Sequence, residues 1–422
     1  MRTNRMTIYI VLALILGVLV GAILNTTLPD ANTAARVAGY ISIFSDIFLR
    51  LVKMIIAPLV FTTLVVGIAK MGKGEAIGRI GLKALAWFLT ASLVSLLLGM
   101  VLVNLFQPGS SLNLPLPDAN QATNLKTSSL SLKEFVAHLV PTSIFHAMAA
   151  NEILQIVVFA IFFGFACTQL PGTEGLIKTI DKLAHITLRI TDYVMRYAPI
   201  AVFAAIAATI TTQGLGVLVT YGTFMLEFYF GIALLWGLLT LAGLAFLGGG
   251  VFRLLGLVKD PALIAFSTAS SEAAYPKLME QLEKYPVSDK IIGFVLPIGY
   301  SFNLDGSMLY MTFATLFLAQ AYGIDLPLGT QLVMLLVLMV TSKGIAGVPR
   351  ASLVVVAATL GSFNIPEAGI LILMGIDQFF DMARAATNVY GNALATTVIG
   401  HWEHEEVAPS EDMLPIEEPQ TA

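Results

Sequence analysis

Six apolar stretches of about 20 residues or more follow one another through the first 255 residues, near 6–27, 42–69, 84–106, 150–170, 186–212 and 217–255. A bilayer's hydrocarbon core takes about 20 residues of helix to cross, and in lipid only helices and closed barrels satisfy their own backbone hydrogen bonds. These runs are long, not short and alternating, so the chain reads as an all-α membrane protein and not as a barrel. Composition agrees: 57% of the 422 residues are hydrophobic and 12% charged, about half the charge of an ordinary soluble domain.

The same composition closes several classes of function. The net charge of −4 comes with no basic face, so no nucleic-acid partner is expected. Cys167 stands alone in an apolar run, which excludes a disulfide framework or a CxxC metal site. His138, His146 and His185 lack metal-ligand spacing, and no nucleophile–base pair is evident. Neither an enzyme nor a metal or organic cofactor is therefore expected. No GxxxxGK[ST] loop is present to cradle the phosphates of an ATP-driven pump.

Lysine and arginine alternate from loop to loop. Arg2 and Arg5 precede the first run, and the segments with Lys70, Lys73, Arg79 and Lys83, then Lys178, Lys182, Arg189 and Arg196, then Arg253 and Lys259, are basic. The intervening stretches are nearly neutral, including a polar insert at 107–132 that carries only Lys126. The positive-inside rule then gives six spans with a cytoplasmic N-terminus. The first run is too long for a signal peptide and has no small-residue cleavage site, so it is expected to stay as a span.

Beyond residue 258 the apolar segments are interrupted by polar runs: Ser267-Thr268-Ala269-Ser270-Ser271-Glu272, Asn303-Leu304-Asp305-Gly306-Ser307, and Thr341-Ser342-Lys343 through Gly347-Val348-Pro349-Arg350. Unwound backbone at membrane depth survives only where protein buries it or it lines a cavity. Two Ser/Gly-rich tips, each between arms too short to span twice, predict re-entrant hairpins, and paired interruptions of this kind point to a transporter's binding site. The last span, about 371–399, carries Asp377, Asp381, Arg384 and Asn388 at spacings that share one helix face. Two carboxylates and a guanidinium inside a membrane are costly, and their default reading is functional. Gly391, between Tyr390 and Asn392, predicts a close helix contact. The tail 401–422 holds seven acidic residues and no Lys or Arg and reads as a disordered cytoplasmic end.

These second-half motifs, in this order, resemble the dicarboxylate/amino acid:cation symporters, the glutamate transporter family, and within it the bacterial proton/glutamate symporters. The resemblance covers nearly the whole chain, to residue 403. It implies eight spans and two re-entrant hairpins assembled as a homotrimer in a bacterial cytoplasmic membrane, with both termini cytoplasmic. It also implies an elevator mechanism. Residues 1–257 would supply a mostly trimerisation scaffold, whose third and sixth spans join the transport domain, and residues 258–400 the transport core. The implied substrate is an acidic amino acid, bound by Ser270, Ser271, Gly347, Val348, Asp381, Arg384 and Asn388. The chemistry fits. Arg384 offers a planar fork to a side-chain carboxylate, Asp381 takes the ammonium, and Asn388 can donate to the main-chain carboxylate. A C4-dicarboxylate has no ammonium and would be repelled by Asp381.

Some positions depart from the family pattern. Ala385 replaces the usual Thr after the arginine, and Arg350 replaces a Gly after the second tip, where it becomes a possible extra substrate contact. Sodium-coupled relatives use the Asn and Asp retained here as Asn303 and Asp305, with Asn388, third-span hydroxyls at positions that are here Phe88, Ala91 and Ser92, and an Asp that is here Asn392. A hard cation wants a full oxygen shell, so these losses favour H+ over Na+ as the coupling ion. Proton coupling needs a carboxylate whose pKa burial raises, with Glu272 the first candidate and Asp305 the second. The expectation is a proton-coupled glutamate/aspartate symporter. Sodium coupling, a C4-dicarboxylate symporter and, from another class, an anion channel are the alternatives.

Overall fold

The computed structural model describes residues 2–71, 74–111, 140–215, 221–342, 351–374 and 376–404, and the regular elements among them are helical. Most of the polar insert, the second tip with Gly347, Val348 and Arg350, and the tail beyond 404 lie outside the described residues.

The chain opens with α1 (Arg2–Thr27), α2 (Ala31–Met71), α3 (Gly74–Phe106) and the single turn α4 (Pro108–Ser111). Helix α2 begins about ten residues before its apolar run does. The Asp30 carboxylate accepts hydrogen bonds from Thr33 N and Thr33 Oγ1 at 2.8 and 2.9 Å, an N-cap that satisfies first-turn donors and starts the helix early. Then come α5 (Ile144–Ala150), α6 (Ile153–Gln169), α7 (Glu174–Met195) and α8 (Ala198–Gln213). The stretch 186–212 was expected to be one span; it is instead split between α7 and α8, which meet at a bend of 52°. Pro199, in the first turn of α8, has no N–H to return to the preceding turn, and its ring disfavours continuous helix there.

Helix α9 (Gly222–Leu247) ends at Gly248, whose φ of 54° suits glycine, and α10 (Gly250–Thr268) starts at once. The sixth apolar stretch therefore stops short of 255, and residues 257 and 258 lie within one helix. Helix α10 folds back on α11 (Ser271–Leu282) through Ala269, which adopts a left-handed conformation (φ 51°, ψ 29°). Next are α12 (Asp289–Phe302) and α13 (Asp305–Ala321), interrupted at Asn303–Leu304 as the sequence predicts, then α14 (Leu328–Thr341), α15 (Ala351–Leu360), α16 (Ile370–Met374) and α17 (Asp377–Trp402).

Two sets of helices pack side by side. In one, α1 and α2 embrace α8, and α2 also packs on α6 and α7. In the other, α17 is surrounded by α9, α10, α11, α12 and α13, while α3 lies along α13. Side-chain hydrogen bonds tie α9 to α17: Tyr229 OH to Phe379 O, Trp236 Nε1 to Thr387 Oγ1, and Thr240 with Tyr390. Gln320 likewise holds α13 to α3 through Val103 O, and Asn104 pairs with Gln331 of α14.

Polarity is inverted relative to a soluble protein. Leu12, Leu16, Leu19 and Ile23 of α1 and Leu226, Phe230 and Leu241 of α9 are exposed, whereas Asp377, Asp381, Arg384 and Asn388 of α17 are buried. Among the described residues four helices, α1, α2, α3 and α9, are long and apolar enough to cross a membrane, and the bent α7–α8 pair makes a fifth. An apolar exterior around a polar centre is what a lipid solvent demands.

Candidate functional site

The polar centre forms where the N-terminus of α13 meets the middle of α17. A break in a helix leaves first-turn N–H groups without carbonyl partners. Here the Asn388 Oδ1 accepts from Gly306 N at 2.9 Å and Ser307 N at 3.3 Å, and its Nδ2 donates to Ser307 Oγ at 3.0 Å. Asn388 thus acts as an N-cap delivered from another helix. Its spacing from Arg384 was legible, but this capping role was not.

Arg384 is 2% exposed and fully engaged. Its Nε and Nη2 both donate to Asp381 Oδ1 at 2.7 Å, and its Nη1 donates to Ser307 Oγ at 3.1 Å and Ser352 Oγ at 3.0 Å. The guanidinium therefore joins three elements, α13, α15 and α17. The sequence marks Ser307 only as part of the break and gives no sign of Ser352. Nothing in a serine at the start of an apolar helix distinguishes it until the fold sets it 32 residues away in sequence against an arginine. One turn before Asp381, Asp377 Oδ1 accepts from Tyr310 OH at 2.6 Å, which fixes that end of the face.

The first tip belongs to α10 and α11, which both pack on α17. Ser270 Oγ caps α11 through Ala273 N at 3.4 Å, and Ser271 Oγ is buried with no hydrogen-bond partner among the described residues. Ala269 packs in a cluster with Met382, next to Asp381 in sequence. The structure thus sets the first tip beside α17, with Ala269 against Met382. It sends Glu272 elsewhere: this carboxyl, 7% exposed, lines a small pocket with Tyr275, Tyr300 and Ser301, facing α2 and the start of α6.

A second polar group lies further along α17. Asn303, Asp305 and Asn392 are buried, and both amide atoms of Asn303 and of Asn392 have no hydrogen-bond partner among the described residues. Asp305 approaches so closely that a Cβ on Gly391 would collide with its Oδ2, and one on Gly299 would collide with Asn392 Oδ1. The close contact expected at Gly391 is therefore made by a carboxylate. The Phe88 ring edge lies against the same Gly299, 3.5 Å from where its Cβ would be. Ser92 is buried, and Ala91 lines an apolar cleft with Trp87 and Trp402. No group of three or more His, Cys, Asp or Glu able to hold a metal occurs among the described residues.

Chemically, the α13–α17 junction offers one cation and several anions in a dry setting, with neutral hydroxyl and amide donors around them. A ligand with both an ammonium and carboxylates could exchange with the Asp381–Arg384 pair, each charge meeting its complement.

Comparison with known proteins covers most of the chain. The model of the sodium:dicarboxylate symporter family matches residues 6–402. The chain is 43% identical over 379 residues to the proton/glutamate-aspartate symporter of Escherichia coli K12, covering 87% of this chain and 86% of that one. It is 39% identical to the proton/sodium-glutamate symport protein of Bacillus subtilis, covering 86% of each, and 38% identical to the C4-dicarboxylate transport protein of Laribacter hongkongensis, covering 89% and 86%. A family match along nearly the whole chain, with relatives at 38–43% identity over most of both sequences, shows that this protein belongs to the sodium:dicarboxylate symporter family.

Proposed function

We propose that this protein is a secondary active symporter that takes up glutamate or aspartate together with protons. The observation that carries the reading is the buried Asp381–Arg384 pair. With its two opposite charges facing one junction, the site matches a zwitterion bearing an extra carboxylate better than a plain dicarboxylate. Asp381 engages the guanidinium. An incoming acidic amino acid presents its side-chain carboxylate to Arg384 and its ammonium to Asp381, so both buried charges remain paired throughout. Ser270 and Ser271 from the first tip, with Gly347 and Val348 from the second, close over it, and Arg350 adds a contact from the second tip. Asn388 donates to the main-chain carboxylate only if it gives up its hold on Ser307, so binding and the order of the α13 N-terminus are coupled.

The proposed architecture is eight spans with two re-entrant hairpins, α10–α11 and α14–α15, in a homotrimer in the bacterial cytoplasmic membrane with both termini inside. The ties of α3 and α9 to α13, α14 and α17 support counting those two spans with the moving core. The set of α1, α2, α6, α7 and α8 would be the stationary scaffold of an elevator. Glu272 is the proposed proton carrier and Asp305 the second choice.

Sodium coupling is the second reading, favoured by one observation: the buried Asn303 and Asn392 amides have no hydrogen-bond partner among the described residues, and Asn303 lies with Asp305 against Gly391. Proteoliposome uptake of labelled glutamate, aspartate and succinate under separate proton and sodium gradients decides. Glutamate accumulation driven by a pH gradient alone is expected. Accumulation driven only by sodium would replace the proton reading, preferential uptake of succinate would overturn the substrate, and equilibration without accumulation would make the protein a channel.

A further inference from the structure

The pocket that holds Glu272 has a second carboxylate, from the other set of helices. Glu152 lies in the turn between α5 and α6 and lines the pocket beside Asn151, while α11 contributes Glu272 and Tyr275, and α12 contributes Tyr300 and Ser301. The remaining lining on the α2 side, Ile56 and Val60, is apolar, and no Lys, Arg or His faces the pocket among the described residues. Glu152 is exposed on the chain's surface, whereas Glu272 is buried.

Two features of the lining point to water. Tyr300 is 6% exposed, and its hydroxyl has no hydrogen-bond partner among the described residues; nor has the buried Oδ1 of Asn151, held at φ 55° by the left-handed turn. The Tyr300 and Tyr275 rings pack edge to face at 4.8 Å, which fixes both phenols against the cavity wall. A dry cavity would leave these groups unsatisfied, a state that folded proteins avoid. The space of about 40 Å³ admits two or so water molecules with polar partners on several sides.

We propose that this pocket is a water-filled proton relay in which Glu152 exchanges protons with solvent and passes them to Glu272 along waters ordered by Tyr300. The inference rests on the reading of Glu272 as the coupling carboxyl. The transfer balances without a co-reactant. A proton on Glu152 goes to a water hydrogen-bonded to it, that water gives up another proton along the chain, and the last proton bonds to a Glu272 oxygen. Glu152 is left as carboxylate and Glu272 as acid. The two residues belong to different helix sets, so in an elevator the relay exists in only one position of the core, and displacement of Glu272 from Glu152 traps the proton in transit. Glu152 and Tyr300 are then positioning residues for proton loading and touch no substrate.

The test uses the full chain in proteoliposomes, with Glu152→Gln, Glu152→Asp, Tyr300→Phe and Glu272→Gln. If the relay operates, Glu152→Gln slows uptake driven by a pH gradient about tenfold and shifts its pH profile. Its substrate affinity and its substrate-for-substrate exchange stay unchanged, Glu152→Asp restores most of the rate, and Tyr300→Phe slows uptake several-fold. Wild-type rates and pH profile in both Glu152→Gln and Tyr300→Phe, with Glu272→Gln inactive in proton-driven uptake, would overturn the relay and leave the carrier assignment standing. Full proton-driven uptake by Glu272→Gln would remove the carrier assignment and the relay with it.

Discussion

Replacing Asp381 by Asn separates the structural from the recognition role of the central ion pair. Asp381 and Arg384 are 0% and 2% exposed, and two guanidinium nitrogens converge on one carboxylate oxygen at 2.7 Å. Removing one member of a buried pair costs about 3–5 kcal/mol because the other charge is left uncompensated. Here Arg384 keeps the hydroxyls of Ser307 and Ser352, and an asparagine carbonyl still accepts, so the low end, about 3 kcal/mol, applies. Recognition should change separately. An ammonium held by a carboxylate is a charge-assisted bond worth about 1.5–3 kcal/mol, so glutamate affinity falls by about 10- to 150-fold. Succinate carries no ammonium, loses nothing by this route, and gains from removal of a like charge. Calorimetric titration of the purified variant with glutamate, aspartate and succinate, alongside thermal melting, reads both effects. A variant that melts lower yet binds glutamate and succinate in the wild-type ratio would show that Asp381 only neutralises Arg384, and the substrate argument would fail.

Three further outcomes follow from other parts of the structure. Burial, reinforced by the charge of Asp289, raises the Glu283 carboxyl from 4.5 to about 7 in the turn after α11; because the folded state binds this proton more tightly, its stabilising effect is present at low pH and is lost as pH rises from about 4.5 through 7, by at most about 3 kcal/mol before solvent screening. Melting temperature in detergent should therefore fall from pH 5 to pH 8 more steeply in wild type than in Glu283→Gln, and equal slopes would refute the assignment. Gly391→Ala drives a methyl into Asp305 Oδ2 and should cost about 1–3 kcal/mol and impair coupled uptake, whereas Gly237→Ala on α9, with open space around it, should melt at or above wild type; a Gly391→Ala protein as stable and active as wild type would contradict the packing described. Phe88→Tyr combined with Asn392→Asp adds a phenol and a carboxylate oxygen beside Asn303 and should raise the sodium stimulation of uptake several-fold, and no change in sodium dependence would show that these positions do not select the ion.

What could be read in the sequence and what could not divide along the range of the interactions. The break at Asn303–Leu304 and the turn at Ser270 were legible because polar and glycine residues inside apolar runs are local signals. The α7–α8 bend hangs on Pro199, hidden in a run that averages as apolar, and α9 stops at Gly248 inside a stretch whose hydrophobicity continues. The face of α17 followed from spacing alone, yet its partners Ser307, Ser352 and Tyr310 come from 32 to 77 residues away, and no periodicity reports such contacts. Glu272 stands out in the sequence as a carboxylate beside the first tip, but its burial and its direction toward Glu152 depend on how α11 packs. Glu227, a carboxylate inside α9 with a buried oxygen that has no hydrogen-bond partner among the described residues, leaves little mark on the sequence because one charge hardly lowers the hydropathy of a 26-residue helix.

The distribution of buried charge supplies a physical reason for coupling. Among the described residues, Asp260, Glu272, Asp305, Asp377 and Asp381 are buried carboxyls, and Arg384 is the one buried base. An acidic amino acid brings two carboxylates and one ammonium, so it adds a negative charge to an interior already dominated by acids. Taking an uncompensated ion out of water costs several kcal/mol even after relaxation, and a core that must cross lipid would bear that cost on every passage. A cation taken up with the substrate cancels the added charge, and uptake then becomes steep in the gradient of that cation. A proton needs only one carboxyl, whereas sodium needs several oxygens converging at once. Under the proposed function, the Phe88 ring against Gly299 adds no oxygen to such a shell, whereas Glu272 faces a polar pocket that reaches toward the surface at Glu152, which is the basis for proposing the proton as the companion ion.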